Sequence, residues 1–533
     1  MVEHRRRTYW LSLVMVLAAA VALWSSGHAS SGTSIRGQVL LAGGQPAAGA
    51  WVRVQTSDNL VYADKDGSFE LDGLPEGVGV VVTAWYAEYK VGWAAAEPPA
   101  DVTIVLEPYS TTDNADYAWN TSYPEPGAEL GCGHCMQPAF TEWKATAHAG
   151  SATSSRFLSL YNGTDVSGAV SVAPGYKQDF PGTTGNCATC HAPGPAVDAP
   201  FTTDMSTLAG VDREGVFCEF CHKVGAVYLD PSSGRPYDNA PGTVSMRIYR
   251  PEDGDQIFFG SLDDVNRRVS YLPLEQESEF CAPCHQFSYW GTPIYQSFRE
   301  WQESSYADLG VQCQSCHMPA GESATFALPE KGGLARNPQR MASHLDLGIK
   351  DTAFMTSSVA MTVTTQPAVD SIRVSVAVGN VAAGHHIPTD YPGRHMILSV
   401  TMEDSEGRAL DLLEGQVIPD WGGDQSGKPG KVFVKLLRDV ATGDAPVVNY
   451  WKQSMIVSDT RIPALGSDTS TYLFESPPAG TVASILVELR YRRNFAGLMA
   501  AKGWQEPDIV MAVERMRITV PDQTRVYAPL ILR

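Results

Sequence analysis

The ten cysteines of this 533-residue chain all lie between Cys132 and Cys316, in five Cys-x-x-Cys pairs. Residues three apart lie about one helical turn apart, so one ligand can engage both thiols of a pair. Histidine follows four of the pairs directly, and Met136 follows the first. The pairs are Cys132/Cys135, Cys187/Cys190, Cys218/Cys221, Cys281/Cys284 and Cys313/Cys316.

Cys-x-x-Cys-His is the attachment signature of c-type haem, in which the thiols bind the porphyrin and the histidine ligates iron. Zinc sites, disulfides and thioredoxin-like centres also use paired cysteines, but they do not require histidine at the next position. We therefore expect four to five covalently attached haem c groups, with a disulfide or a bare pair as the alternative for the first pair. The proximal histidines are His191, His222, His285 and His317.

Length and composition favour a soluble protein of two to four domains. Charged residues make up 18% and hydrophobic residues 44% of the chain, and the formal net charge is -20. This charge argues against nucleic acid or an anionic membrane as a partner and favours docking to basic surfaces.

The N-terminus has the pattern of an export signal. A basic segment at 5–7 precedes the apolar stretch 11–24, and small residues allow cleavage after Ala29. We expect residues 1–29 to be a signal peptide, with an uncleaved anchor as the alternative. The expected location is periplasmic, extracellular or at the cell surface, with no membrane span in the mature chain.

Residues 31–110 alternate apolar and polar positions in short runs separated by Gly, Asp and Pro turns, which predicts a small β domain. The runs 49–54 and 64–75, which read G-A-W-V-R-V and D-K-D-G-S-F-E-L-D-G-L-P, resemble the carboxypeptidase-regulatory-like β-sandwich. The resemblance implies a binding or spacing domain. Asp64 and Asp66 are read as a turn, with a calcium site as the alternative.

Residues 111–360 show little periodicity and many Pro, Gly and Asn residues, as expected of a mostly α or irregular multihaem domain. A duplication is visible in two runs with the pattern G-V-x-C-x-x-C-H, which start at Gly215 and Gly310. A C-A-x-C-H pair precedes each run, and its first cysteine lies 31 residues before Cys218 in one case and 32 residues before Cys313 in the other, at Cys187 and Cys281. This spacing predicts a two-haem unit that occurs twice. Residues 142–149 are echoed at 300–307.

The chain from about 115 to 530 resembles exported multihaem c-type cytochromes, including tetrahaem electron carriers of nitrifiers and, more distantly, pentahaem nitrite reductases. The matching stretches are Cys132–Cys135, Trp143–Ala149, Phe280–Phe287, Glu300–Trp301, Gly310–Pro319, Ser343–His344 and Gly384–Thr389. The resemblance implies that His148, His344 and His385 are distal iron ligands. His386 is an alternative to His385, and His134 and His395 are weaker candidates. Histidine on both faces of iron gives a saturated centre that carries electrons.

The first pair departs from this family because Met136 replaces the proximal histidine. A haem at this pair takes its ligand from Met136, from His134 or from elsewhere in the chain. The pentahaem nitrite reductases also have a nonstandard residue at their catalytic haem, which is lysine, but methionine is a poorer donor to iron.

Residues 361–533 contain strand-like runs and no cysteine, which predicts a C-terminal antiparallel β-sandwich. We expect its loop at 384–389 to reach back and cap a haem.

These features favour an exported electron carrier over an enzyme and assign no catalytic residue. Electrons are expected to pass along the haems between redox partner proteins or to an extracellular acceptor, and a homo-oligomer is compatible with this role. The alternatives are an oxidoreductase acting on a small nitrogen or sulfur compound at one open haem, and a haem-free zinc or disulfide module.

Overall fold

The computed structural model describes residues 33–125, 131–321 and 323–521. The predicted signal segment 1–29 lies outside the described residues. The described chain forms two compact units, one made of residues 33–110 and 255–271 and the other of residues 111–254 and 272–521. The sequence assigned 255–271 to the haem segment, whereas the structure places these residues with the N-terminal strands. The expected haem segment and the C-terminal β segment share the second unit.

The strands, in chain order, are β1 (Thr33–Leu41), β2 (Trp51–Val54), β3 (Val61–Tyr62), β4 (Ser68–Leu74), β5 (Val80–Trp85), β6 (Gly92–Ala96), β7 (Ala100–Leu106), β8 (Val224–Val227), β9 (Met246–Ile248), β10 (Phe258–Gly260), β11 (Val269–Tyr271), β12 (Phe287–Tyr289), β13 (Thr292–Tyr295), β14 (Val359–Pro367), β15 (Ser371–Asn380), β16 (His395–Glu403), β17 (Leu412–Glu414), β18 (Gly430–Asp439), β19 (Ser454–Asp459), β20 (Ser467–Glu475), β21 (Val482–Arg492) and β22 (Ile509–Thr519).

The α-helices are α1 (Cys132–Cys135), α2 (Gln137–Lys144), α3 (Ser155–Asn162), α4 (Tyr176–Asp179), α5 (Ala188–His191), α6 (Pro193–Ala196), α7 (Cys218–Cys221), α8 (Ala282–His285), α9 (Ser297–Gln302), α10 (Ser305–Asp308), α11 (Cys313–His317), α12 (Thr352–Ser357) and α13 (Ala496–Lys502). Short 3-10 helices lie at Gly210–Glu214, Gly242–Ser245, Pro273–Gln276, Ser278–Phe280, Pro329–Lys331, Pro338–Arg340 and Asp420–Gln425.

The N-terminal unit contains a three-stranded sheet in the order β4-β1-β7 and a four-stranded sheet in the order β3-β2-β5-β6. Alternation along β1 buries Ile35 and Val39, and these side chains join Val52 and Val82 from the other sheet in one apolar core. Burial of such side chains from both sheets stabilises the unit by the hydrophobic effect. The sequence predicted five of these strands and missed the shorter β3 and the alanine-rich β6.

Residues 255–271 join this unit through paired backbone and charged side chains. Strands β10 and β11 pair in parallel, and the Val91 N–H donates to the Val269 carbonyl at 2.9 Å. The guanidinium of Arg53 lies 2.8 Å from the Asp263 carboxylate, and both side chains are buried. A sequence pattern does not reveal such a return, because the contacts join residues far apart in the chain.

The stretch from Asp64 to Gly67 is a turn, as the sequence predicted. The Gly67 N–H donates to the Asp64 carbonyl at 2.9 Å, and Gly67 has a φ of 79°, which glycine adopts without a Cβ clash. The Asp66 carboxylate accepts bonds from the Ser68 N–H and hydroxyl.

The part of the second unit that carries the cysteines consists of short helices and two-stranded ribbons. Each Cys-x-x-Cys pair forms one helical turn with its two cysteines at or beside its ends. Aromatic side chains pack between these turns, and Phe140, Trp143, Phe217 and Phe220 form one such cluster. The central region is therefore mostly helical or irregular, as predicted.

The C-terminal segment contains a four-stranded sheet in the order β14-β15-β20-β17 and a five-stranded sheet in the order β19-β18-β16-β21-β22. Strand β15 alternates strictly, so that Ile372, Val374, Val376 and Val378 are all buried. They share a core with residues of β16 and β21 from the other sheet. Within the described ranges, no helix has the length and apolarity needed to cross a bilayer.

Candidate haem-iron centres

Three pairs of histidine rings lie close together in the second unit and are here termed facing pairs; the planes are inclined by 72° in His148/His285, 42° in His222/His344 and 18° in His317/His385. The ring centres of His148 and His285 lie 6.4 Å apart, those of His222 and His344 lie 6.3 Å apart, and those of His317 and His385 lie 6.2 Å apart. Two imidazoles that bind one metal ion from opposite sides have ring centres roughly 6 Å apart, because each nitrogen lies about 2 Å from the metal. Each pair therefore has the spacing that an iron between the rings requires.

Each facing pair joins one histidine of a Cys-x-x-Cys-His turn to one histidine from elsewhere in the chain. The second members are the three residues that the sequence predicted as distal ligands, namely His148, His344 and His385. The sequence did not predict which distal histidine faces which turn. That choice is made by the fold, since His344 and His385 lie on long loops far along the chain from the turns they face.

Polar groups lie beside Nδ1 in two of the pairs. His148 Nδ1 lies 3.1 Å from the Asp346 carboxylate, and His285 Nδ1 lies 3.5 Å from the Asp390 carboxylate. Because each carboxylate lies at Nδ1, Nε2 remains for a metal, which is the usual arrangement around metal-binding histidines. In the His317/His385 pair, both Nδ1 atoms bond backbone carbonyls. His317 Nδ1 bonds the Leu347 carbonyl at 2.6 Å, and His385 Nδ1 bonds the His386 carbonyl at 2.9 Å.

The remaining pair has a weaker set of Nδ1 partners. His222 Nδ1 lies 3.5 Å from the Glu275 carboxylate. His344 Nδ1 is buried and has no hydrogen-bond partner within the described part of the chain. Burial lowers the pKa values of His344 and His317 to about 4. These rings are therefore neutral at physiological pH, which is the form that binds a metal.

His191, the fourth proximal histidine, has a different environment. Its ring stacks on Phe157 with centres 3.9 Å apart and planes inclined by 9°. Its Nδ1 lies 3.3 Å from the Ser151 carbonyl, and burial lowers its pKa to about 4. No other histidine ring of the described residues faces it, in contrast to the other three proximal histidines.

The duplicated glutamate–tryptophan sequence supports two of the sites in the same way. The indole N–H of Trp143 donates to the Val216 carbonyl at 2.8 Å, and that of Trp301 donates to the Val311 carbonyl at 2.8 Å. Each valine belongs to a G-V-x-C-x-x-C-H run, so each tryptophan fixes the turn that carries a proximal histidine. The glycines before these valines, Gly215 and Gly310, have φ angles of 72° and 70°.

The glutamates of this duplication hold the loops that carry the distal histidines. Glu142 accepts the His344 N–H at 2.7 Å. Glu300 accepts the His386 N–H at 3.1 Å and the Thr389 hydroxyl at 2.7 Å. Each Glu-Trp dipeptide therefore links a proximal turn to its distal loop. The repeat was visible in the sequence, but this linking role was not.

Contacts between cysteines correct the predicted duplication. The Cys132 thiol lies beside the Cys218 thiol, and the Cys281 thiol lies beside the Cys313 thiol. The structural counterpart of the Cys281 turn is thus the first turn and not the Cys187 turn, so the equivalence drawn from the 31- and 32-residue spacings is wrong. The Cys190 thiol contacts that of Cys284 instead.

Two serines make matching contacts: Ser122 precedes the Cys132 turn and bonds the Cys218 turn, and Ser278 precedes the Cys281 turn and bonds the Cys313 turn. The Cys218 N–H donates to the Ser122 hydroxyl at 3.3 Å, and the Cys313 N–H donates to the Ser278 hydroxyl at 2.9 Å. Met136, which follows the Cys132/Cys135 pair, therefore corresponds in position to His285, which follows the Cys281/Cys284 pair. Its side chain is 46% exposed.

The other candidate histidines lie elsewhere. His395 is buried between β-sheet residues, stacks on Phe495 at 5.2 Å and bonds the Gly393 carbonyl through Nδ1 at 2.9 Å. His386 Nδ1 lies 3.8 Å from the Glu300 carboxylate. His134 lies within the first turn, and its buried Nε2 has no hydrogen-bond partner among the described residues.

The donor set fits haem c. Paired thiols on one turn, a following histidine and a facing imidazole are the groups that covalent attachment and two axial bonds require. The residues that would hold iron in this way are the three facing pairs, with His191 at a fourth attachment. Bound haem would supply one-electron chemistry at iron, and the polypeptide would orient the axial rings through the Nδ1 bonds described above.

Comparison with known proteins points to the same chemistry. Residues 131–223 match the family model described as "Cytochrome c554 and c-prime". A penta-heme cytochrome c552 from Thermochromatium tepidum matches with a TM-score of 0.54 and 21% identity, over 73% of this chain and 97% of that chain. These findings support a multihaem c-type cytochrome. The structural match, at 21% identity, shows a likeness of fold.

More distant structures give no such support. A structural-genomics target, SoR45, has a TM-score of 0.16 at 8% identity, over 33% of this chain and 96% of that chain. A PapD-like domain of human CEP192 has a TM-score of 0.14 at 6% identity, over 31% of this chain and 83% of that chain. Neither likeness is close enough to bear on the fold of this chain. No curated protein sequence matches the chain.

Proposed function

We propose that this protein is an exported multihaem cytochrome that carries electrons along four or five covalently bound haems. The observation that carries the proposal is the set of three facing histidine pairs. Iron held between two imidazoles has no open position for a substrate, so such a centre exchanges electrons and does little else.

The cysteine contacts support transfer between the centres. Contacts between thiols link the first turn to the third, the second turn to the fourth, and the fourth turn to the fifth. Haems attached at adjoining thiols lie close together, and short gaps favour electron hopping. The proposed partners are a donor protein and either an acceptor protein or an extracellular acceptor.

Export is the second part of the proposal. It rests on the basic and apolar N-terminal segments and on the need to attach haem outside the cytoplasm. The net charge of -20 favours a partner with a basic docking surface. The proposed location is the periplasm or the cell exterior.

The experiment is an intact-mass measurement combined with a pyridine haemochrome assay on protein purified from a host that matures c-type cytochromes. The mass counts attached haems and locates the mature N-terminus. We expect at least four haems and loss of the leader. Colourless protein with free or bridged thiols would exclude the proposal.

A second candidate function follows from His191. Since no described histidine faces it, an iron at this attachment would keep one open position, as an oxidoreductase for a small nitrogen or sulfur compound requires. Resonance Raman and EPR spectra separate the two functions. A fully low-spin protein excludes the enzyme, whereas a high-spin signal that changes on addition of nitrite or hydroxylamine supports it.

A further inference from the structure

Of the three facing pairs, only one has a carboxylate on both rings among the described residues. His148 Nδ1 lies 3.1 Å from Asp346 Oδ2, and His285 Nδ1 lies 3.5 Å from Asp390 Oδ2. The aspartate side chains are 19% and 8% exposed, so solvent screens these charges weakly.

The other pairs differ in the charge that faces Nδ1. Both rings of the His317/His385 pair bond neutral backbone carbonyls. In the His222/His344 pair, Glu275 faces one ring at 3.5 Å, and the other ring has no described partner. Within 3.5 Å of Nδ1 the three pairs thus have two, one and no carboxylates, and the Asp346 charge also acts more weakly on His344 and His317.

The two aspartates come from the loops that carry the distal histidines of the other two pairs. Asp346 follows His344 by two residues, and Asp390 follows His385 by five. Both have positive φ angles, 42° for Asp346 and 59° for Asp390. This conformation is uncommon for a residue with a Cβ, although Asp tolerates it better than most. The fold thus holds both carboxylates in place at some cost in backbone energy.

Asp390 is held by further bonds. Its Oδ1 accepts the N–H groups of Gln296 and Ser297, each at 3.1 Å, and its Oδ2 accepts the Ser297 hydroxyl at 3.1 Å. These three bonds fix the carboxylate beside the His285 imidazole.

We propose that Asp346 and Asp390 are positioning residues that make the iron between His148 and His285 the lowest-potential centre of the three histidine-paired centres. A carboxylate that accepts the Nδ1 proton increases the basicity of the imidazole, and a more basic ligand stabilises ferric over ferrous iron. The negative charge itself acts in the same direction. This inference rests on the proposed function, because it concerns the relative potentials of bound haems.

The centre between His148 and His285 adjoins two other attachment turns. Its attachment turn contacts the Cys187/Cys190 turn through Cys284 and the Cys313/Cys316 turn through Cys281. An electron that passes between those two attachments by this route meets the least easily reduced iron on the way. The two aspartates thus set the energy of the middle step of this route.

The test compares Asp346→Asn, Asp390→Asn and the double variant with wild-type holoprotein by spectroelectrochemical titration. Asparagine keeps a neutral acceptor near Nδ1 and removes the charge. We expect each single variant to raise the potential of the haem between His148 and His285 more than that of any other haem, and the double variant to raise the same potential further. Haem content and low-spin state are expected to stay unchanged.

Two controls sharpen the result. Asp351→Asn removes an equal charge five residues from Asp346, where the carboxylate caps helix α12 through the Phe354 N–H at 2.7 Å. It is expected to leave the potentials nearly unchanged. Glu275→Gln is expected to raise the potential of a different haem, the one between His222 and His344.

The outcomes separate this inference from the proposed function. Protein without covalent haem overturns both. Haem-loaded protein whose potentials do not move in either aspartate variant, or move as little as in Asp351→Asn, overturns the inference alone. Loss of low-spin iron in a variant would mean that the aspartate holds the ligand in place without tuning the potential, and would also overturn it.

Discussion

The indole nitrogen of Trp301 lies 2.8 Å from the carbonyl oxygen of Val311, and this bond ties helix α9 to the turn that bears His317. Trp301→Phe keeps a buried aromatic ring but leaves the carbonyl without its donor. We expect the free energy of unfolding of the holoprotein to fall by about 1–3 kcal/mol. Chemical denaturation followed by near-UV circular dichroism measures it. Trp93→Phe, at a 53% exposed side chain, is the control and should change stability little.

His148→Ala removes the ring that faces His285. We expect one haem to change from low-spin to high-spin iron, because an axial ligand is lost. EPR and resonance Raman spectra detect the change. His395→Ala serves as the control, since His395 packs on Phe495 and should leave every spin state unaltered whatever it does to stability. An unchanged spectrum in the His148 variant removes this residue from the ligand set.

His385 and His386 are adjacent, and only His385 faces His317. We expect His385→Ala to make one haem high-spin and His386→Ala to leave all haems low-spin. The backbone bond from His386 to Glu300 survives both substitutions, so the loop stays in place. The same spectra measure both variants. The reverse result would assign the distal ligand to His386.

Met136 occupies the place in the first half that His285 occupies in the second. Met136→His creates a fifth Cys-x-x-Cys-His motif at a partly exposed position. We expect this variant to fold and to carry no fewer haems than the wild type, as counted by intact mass. Met136→Leu is the matched control. If the histidine variant loses one haem, the methionine is structurally required.

Lys502 is fully buried, and its ammonium donates to the carbonyls of Ser159, Thr164 and Val172 at 3.1, 2.9 and 2.5 Å. Burial lowers its pKa to about 8 from the usual 10.5 of a lysine. Between these values the unfolded chain binds more protons than the folded one, so this lysine makes the unfolding free energy increase with pH.

A comparison of wild type with Lys502→Met isolates that effect. The wild type is expected to gain up to about 3 kcal/mol relative to the variant between pH 8 and 10.5, and the difference should be constant below pH 7. Urea denaturation at several pH values measures the difference. Lys428→Met, which removes an exposed lysine, is measured in parallel as the control. A flat profile for Lys502→Met would contradict the shift.

Most strands were predictable because their signal is local. Apolar and polar side chains alternate between consecutive residues along β1 and β15, and both strands lie where the sequence predicted them. The short β17 and the exposed strand β19 were missed, since neither has a clear alternating core face. The return of residues 255–271 to the N-terminal unit was also missed, because it depends on pairing across the chain.

The sequence by itself determined where the four Cys-x-x-Cys-His turns lie and so where haem is proposed to attach, because two thiols and a histidine within five residues form a local motif. It also marked His148, His344 and His385 as candidates. Only the tertiary structure decided which candidate faces which turn, that the Cys132 turn corresponds to the Cys281 turn, and that Asp346 and Asp390 face one pair of rings. The physical reason is that an axial pair and its hydrogen bonds join residues far apart in sequence, whose approach is set by the packing of the whole unit.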